Sequence, residues 1–276
     1  MDEKAYWIGF NKIRGIGYVR TMKLLDFFGN LKLAWNATET SLLEAGLPAR
    51  LIKDFLSVRD TIDLEKDFAG IQSKGINILT IRDSAYPQKL LSIEQPPPVI
   101  YLKGSLKESD ESSVAIVGTR NPTAYGRQVT QELSQFLAAN GITVVSGLAR
   151  GIDSVAHTSA LNVGGRTIAV LGNGVDVVYP PEHRQLSERI VEQGALISDY
   201  FPGTPPDGVN FPPRNRIISG LSLASVIIEA GEKSGALITA EFAATQGREV
   251  FSVPGPIYGP RSKGTNRLIR DGALPL

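Results

Sequence analysis

The sequence predicts a doubly wound α/β fold built on a mostly parallel sheet, and three observations predict it. From Val114 onward, short apolar runs without polar alternation recur, as strands covered on both faces require. Each run is followed by a stretch whose apolar residues have helical spacing, so strand and helix alternate along the chain. Nearly every run ends in a glycine-rich turn.

Residues 1–74 read differently. Leu51, Ile52, Phe55 and Leu56 form an i, i+1, i+4, i+5 stripe, and Phe68 with Ile71 continues the helical spacing. A small all-α domain over 1–74 is therefore expected ahead of a larger α/β domain over 75–276. GINILTIRD (75–83) suggests a strand, Pro87 breaks the chain, and Pro96-Pro97-Pro98 stiffens the approach to VIYLKG (99–104), a second strand. VAIV (114–117) opens the alternation, followed by a helix with Val129, Leu133, Phe136 and Leu137 on one face. ITVV (142–145) precedes a helix around 154–163, and TIAVL (167–171) one around 183–193. After ALIS (195–198) and a proline-rich loop comes FPPRNRIISGLS (211–222). SVIIE (225–229) leads to a helix around 235–246, then EVFSV (249–253) and a last helix near 265–271.

Composition narrows the function. Of 276 residues 42% are hydrophobic and 21% charged, ordinary values for a globular chain, and the net charge is only +1. Nucleic-acid binding would have to use a local basic cluster, because the chain as a whole is neutral. With no cysteine and two histidines, disulfides, thiolate nucleophiles and most metal-hydrolytic schemes lack their parts. No run approaches the ~20 apolar residues of a membrane helix, and the first residues show no secretory signal. A cytoplasmic protein is expected.

In a doubly wound sheet, ligands bind beyond the carboxyl ends of the strands. There lie GTRNPT (118–123), SGLARGID (146–153), GNGVD (172–176), EAGEKSGALIT (229–239) and PGPIYGP (254–260). Glycine lets backbone amides approach an anion, and a helix N-terminus adds its dipole. Arg120, Arg150, Arg214, Arg216 and Lys233 lie in or beside these turns, so a phosphate-bearing ligand is the natural complement. Pro213 reads as a first-turn helix proline, which places Arg214 and Arg216 at the positive end of the helix dipole. Either a bound phosphate or an internal carboxylate, Glu229 or Asp199, has to answer them. Asp153 reads as a helix N-cap ahead of a catalytic acid, and His157 as a core or capping histidine ahead of a ligand. His183 falls in the first turn of a surface helix. Tyr179, Tyr200 and Phe211 lie near the same rim, either to stack on bases or to cover the core edge. Neither a P-loop nor a complete dinucleotide fingerprint is present.

Six segments in order, VAIVGTR, SGLARGIDSVAH, GNGVDVVYP, FPPRNRIISGLS, EAGEKSGALITAEFA and GTNRLIRDGA, resemble the DprA/Smf family of DNA-processing proteins, from about Gly75 to Ala273. The resemblance implies an extended Rossmann-like domain of the SLOG type that binds single-stranded DNA. It also implies a homodimer that loads RecA recombinase onto DNA entering during natural transformation, without catalysis, metal or cofactor. By the same resemblance, Gly118, Thr119 and Arg120 correspond to the family's pocket turn, and Gly147, Arg150 and Gly151 to its second turn. Arg214, Asn215 and Arg216 match its R-N-R, while Ser234, Gly235 and Thr239, beside Lys233, match its S-G-x-L-I-T. Pro181 stands where many members have lysine, with His183 or Arg184 as substitutes. KIRGIGYVRTMKLLDFFG (12–29) resembles a helix-hairpin-helix or SAM-like element, whose Gly15–Gly17 turn either holds a phosphate or is purely structural. The alternative is a nucleotide-processing enzyme of the SLOG group, similar to a phosphoribohydrolase, although EKSGALIT lacks that class's P-G-G-x-G-T.

Overall fold

A computed structural model describes residues 2–276. Six helices open the chain: α1 (Glu3–Asn11), α2 (Tyr18–Phe28), α3 (Leu31–Trp35), α4 (Glu39–Glu44), α5 (Ala49–Arg59) and α6 (Leu64–Ser73). Asp2, Asn30, Thr38 and Asp63 cap α1, α3, α4 and α6, each accepting a hydrogen bond from a free first-turn amide. β1 (Asn77–Thr80), α7 (Gln88–Leu91) and β2 (Val99–Gly104) follow. The alternating region holds β3 (Ser113–Val117), α8 (Ala124–Ala139), β4 (Thr143–Ser146), α9 (Ile152–Asn162), β5 (Thr167–Val170) and α10 (Arg184–Gln193). It continues through β6 (Ala195–Ser198), α11 (Phe211–Leu221), β7 (Ala224–Ile227), α12 (Gly235–Thr245), β8 (Glu249–Ser252), α13 (Lys263–Arg270) and β9 (Leu274–Pro275).

All nine strands form one sheet in the order β1-β2-β6-β5-β4-β3-β7-β8-β9. β2 runs antiparallel to both β1 and β6, and every other pair is parallel. The fold is the mostly parallel α/β architecture the sequence predicts. From β3 the chain winds outward through β4, β5 and β6, then crosses back to β7 on the other side of β3. α8 and α9 pack on one face, sharing a core with Ile116, Val144 and Val226. α11 and α12 pack on the other, over Val117, Val145 and Ile227. Winding therefore reverses between β3 and β7, and this reversal opens a crevice beyond their carboxyl ends.

Two details depart from the expected pattern. The buried stripe of α8 is Gly126, Thr130, Ser134, Leu137 and Ala138, with Val129 and Leu133 half-buried, while Phe136 faces water. The helix is rotated because its close contact with α9 and Glu229 selects small side chains. The N-terminal helices also do not keep a core to themselves. Phe10, Trp35 and Phe55 pack ring against ring at 5.2–5.3 Å, and their cluster runs without a break into Ile78, Val99, Tyr101 and Leu196 of the sheet. Asn11 reinforces the junction, accepting from the Tyr101 hydroxyl at 2.8 Å and donating to the Asp199 carbonyl at 3.2 Å. The Gly15–Gly17 turn joins α1 to α2 with Gly15 at φ +99°.

His157 is a core residue of α9. The Thr167 hydroxyl donates to the Val144 carbonyl at 2.7 Å, so His157 Nδ1–H donates to that hydroxyl and Nε2 is left without a partner. Burial, assisted by nearby His183 and Arg214, pushes its pKa down to about 3. The unfolded chain takes up this proton near the ordinary histidine value of ~6.5. Stability is therefore complete above that value and declines as pH falls from it towards about 3, at about 1.4 kcal/mol per pH unit. Denaturant titrations at several pH values should show this decline, and the His157→Gln variant should lack it. Equal slopes in the two proteins would refute the assignment.

Candidate nucleic-acid interface

The crevice between β3 and β7 is built from backbone first. The Thr119 amide donates to the Glu229 carbonyl at 2.8 Å, tying the turn after β3 to the end of β7. The Glu229 carboxylate accepts from the Thr123 amide at 2.9 Å and from its hydroxyl at 2.5 Å. Glu229 thus supplies the negative charge at the start of α8 and pairs with no arginine. Gly118 is needed here because a Cβ would come within 2.6 Å of Ile152 and 3.1 Å of the Glu229 carbonyl.

The turn after β4 is held from inside. Asp153 is not the N-cap of α9, since Gly151 occupies that position. Its Oδ2 instead accepts from the Gly147 and Ala149 amides at 3.1 and 3.3 Å. Between them Leu148 adopts φ +58°, costly for a leucine, and its carbonyl bonds to His183 Nδ1 at 2.9 Å. Gly151, at φ +80°, brings this turn against the Thr119 and Arg120 carbonyls, where no side chain fits. Burial raises the Asp153 pKa, and the Arg214 guanidinium opposes that shift.

The R-N-R segment is where the structure corrects the sequence reading. α11 begins at Phe211, because the missing amides of both Pro212 and Pro213 fall among the donors that a first turn leaves unpaired. Arg214 therefore ends the first turn and Arg216 lies in the second, further from the positive pole than expected. Neither needs an external anion. Arg214 is 5% exposed and donates to the Gly147 carbonyl at 2.9 Å, to the Val170 carbonyl and to Asn215 Oδ1. Burial pulls its pKa down to about 10 while Asp153 supports the charge, so it stays protonated at neutral pH. Asn215 Nδ2 donates to the Gly235 carbonyl at 3.2 Å. Arg216 turns away to Asp199 at 2.9 Å and to the Gln95 carbonyl at 3.2 Å, in a separate apolar groove beside Ile16 and Phe242. Arg150 pairs with Glu182 at the surface, a solvent-screened contact that a phosphate can displace.

A cavity of about 1010 Å³ remains at the crevice, with Arg120, Arg214, Lys233 and Arg261 against a single carboxylate, the buried Asp153. Arg120, Lys233 and Arg261 have no carboxylate partner among the described residues. Gly118, Thr119, Ser234, Gly235 and Thr239 line the same cavity, and Gly147, Arg150 and Arg120 share a small adjoining niche with Tyr179. No acidic residue stands in the first turn of α12, and a Cβ on Gly235 would meet nothing within 4 Å. Ser234 caps this helix only through a long 3.4 Å bond from the Ala236 amide, so the positive end of the dipole still faces the cavity uncompensated by a carboxylate. Tyr179 and Phe211 stack at 5.8 Å on the rim. His183 and Arg184, the substitutes for the lysine at Pro181, do not line the cavity: His183 holds Leu148 and Arg184 faces Glu188. Arg261 was not among the expected residues, although it follows PGPIYGP directly, and a cation beside a Gly/Pro turn at a strand end is the signal that would have found it.

Residues 77–276 match the family model described as DNA recombination-mediator protein A. The chain belongs to the DprA/Smf family. It is 43% identical to Protein Smf of Synechocystis over 277 residues, covering 99% of this chain and 70% of the relative. It is 44% identical to the Bacillus subtilis DNA processing protein DprA over 211 residues, 76% of this chain and 71% of the relative. The solved Streptococcus pneumoniae DprA superposes with a TM-score of 0.85 at 34% identity, covering 99% of this chain and 94% of that one. Helicobacter pylori DNA processing protein A, described for its single-stranded DNA binding mode, matches with a TM-score of 0.66 at 32% identity over 72% of this chain and 90% of its own. This DprA/Smf chain is a DNA-processing protein, and no helix among its described residues is long and apolar enough to cross a membrane.

Proposed function

We propose that this DprA/Smf chain is a non-catalytic single-stranded DNA-binding protein and recombination mediator. It holds the sugar–phosphate backbone of an incoming strand in the β3–β7 crevice, protects that strand and loads RecA onto it during natural transformation. The observation that carries the reading is the cavity itself: three cations without a carboxylate partner among the described residues, and the positive end of α12, at the reversal of the sheet. Phosphate contacts position a strand without reading its bases, and the Tyr179–Phe211 stack offers a sequence-tolerant surface next to them. The cavity's one carboxylate is engaged by two amides and by the field of Arg214, which favours binding over turnover. RecA loading, the homodimer and a cytoplasmic location come from membership of the family. Within this proposal residues 75–276 form the DNA-binding unit and 1–74 a helical domain docked on it.

The test is a titration with single- and double-stranded oligonucleotides at two salt concentrations, with free nucleobase assayed alongside on nucleoside monophosphates. Tighter binding of the single strand, weakening steeply with salt, is expected, with no base released. Preference for duplex, or cleavage of the monophosphate as in the phosphoribohydrolase alternative, would overturn the proposal.

A further inference from the structure

The loop that walls the cavity beyond β8 carries a feature that phosphate binding does not require. At its tip Ile257 and Tyr258 are 75% and 90% exposed, the two most exposed large apolar side chains among the described residues. The loop is pinned. The Gly259 amide donates to the Pro256 carbonyl at 2.8 Å, and the Ser262 amide to the Gly259 carbonyl at 3.0 Å. Asn266 clasps both backbone groups of Gly255 at 3.0–3.1 Å, and the Ala230 amide donates to the Arg261 carbonyl at 2.8 Å. Pro254, Pro256 and Pro260 fix three further φ angles. A tyrosine and an isoleucine are thus held out in water on a rigid turn, with their ordering cost already met by the fold.

Their surroundings say what should cover them. Pro260 and Arg261, at the foot of the loop, line the cationic cavity. Tyr125, 47% exposed, donates its hydroxyl to the Pro254 carbonyl at 3.2 Å, bringing a second ring from the start of α8 to the base of the same loop. In the strand order β5-β4-β3-β7-β8 the Tyr179–Phe211 stack, at the loop after β5, and the Tyr258 loop, after β8, flank the crevice from its two sides. A strand whose phosphate sits between Arg120, Lys233 and Arg261 has the Tyr179–Phe211 rings at the cavity on one side and, on the other, the foot of the loop that carries Tyr258. We propose that Tyr258, backed by Ile257 and Tyr125, is a second stacking platform that takes a nucleobase flanking the bound phosphate. Every base has a π-face, so the contact adds affinity without sequence preference. This inference rests on the single-stranded DNA reading above.

The test compares oligothymidylate with an oligomer of equal length and charge whose nucleotides are abasic tetrahydrofuran units. Base–aromatic stacking contributes about 1–3 kcal/mol, so Tyr258→Ala should bind oligothymidylate roughly 5- to 150-fold more weakly. Tyr258→Phe, which keeps the ring, should bind as the unsubstituted protein does. All three proteins should bind the abasic oligomer alike and share one salt slope. Tyr258→Ala retaining full affinity for oligothymidylate, or losing it equally for the abasic oligomer, overturns the platform while the phosphate pocket stands. Sedimentation of the same variant closes the remaining route: a changed oligomeric state would make Tyr258 a subunit contact and overturn the proposal. If the unsubstituted protein bound neither oligomer, the DNA reading would fall, and the platform with it.

Discussion

Replacing Arg120 and Lys233 together with alanine is expected to reduce single-stranded DNA affinity by at least two orders of magnitude without unfolding the chain. Both side chains are exposed, and neither has an acidic partner within the protein to leave behind. Surface substitutions of that kind change stability by about 0.5 kcal/mol or less. A hydrogen bond to a charged group contributes about 1.5–3 kcal/mol, so two lost phosphate contacts account for the fall. The salt dependence is the sharper readout. Each lost contact with a single strand should lower the slope of log K against log salt by about 0.7, so the double variant should lose about 1.4. A folded variant with an unchanged slope would place the DNA elsewhere.

Arg214→Ala is expected to act on the fold instead. Its guanidinium holds the Gly147 and Val170 carbonyls together and offsets the buried charge of Asp153. Its removal leaves those two buried carbonyls without their donor, at about 1–3 kcal/mol each, and takes away the cation that supports Asp153. For a chain of this size the midpoint of thermal unfolding should fall by on the order of 10 °C. Asp153→Asn in the same background removes the stranded charge and should restore part of the loss, so a double-mutant cycle by calorimetry measures the coupling. Arg216→Ala loses its Asp199 pair but should leave the salt slope of DNA binding where it was, since that side chain faces the neighbouring groove. A flattened slope in Arg216→Ala would return it to the interface.

The strands and most helices were legible in the sequence because the signals are local. Apolar runs such as ALIS and TIAVL, covered on both faces, have to be interior strands, and the glycine-rich turns mark their ends. The family was legible because six motifs stand in order. Other features left no local trace. Phe136 satisfies helical periodicity yet faces water, since the packing of α8 against α9 decides which stripe is buried. Asp153 reads as a cap in the sequence, but it lies inside the first turn of α9 and accepts from the amides of the turn that precedes the helix.

By itself the sequence determined that this chain is an alternating α/β protein of the DprA/Smf family with cations gathered at the carboxyl ends of its strands. Only the tertiary structure decided which of those cations are free. Arg216 meets Asp199, Arg150 meets Glu182 and Arg214 sinks between two carbonyls, whereas Arg120, Lys233 and the unanticipated Arg261 are left facing the cavity. Charge is a property of a residue and can be read from the chain. Neutralisation is a property of a pair, and these pairs join segments that only the winding of the sheet brings together.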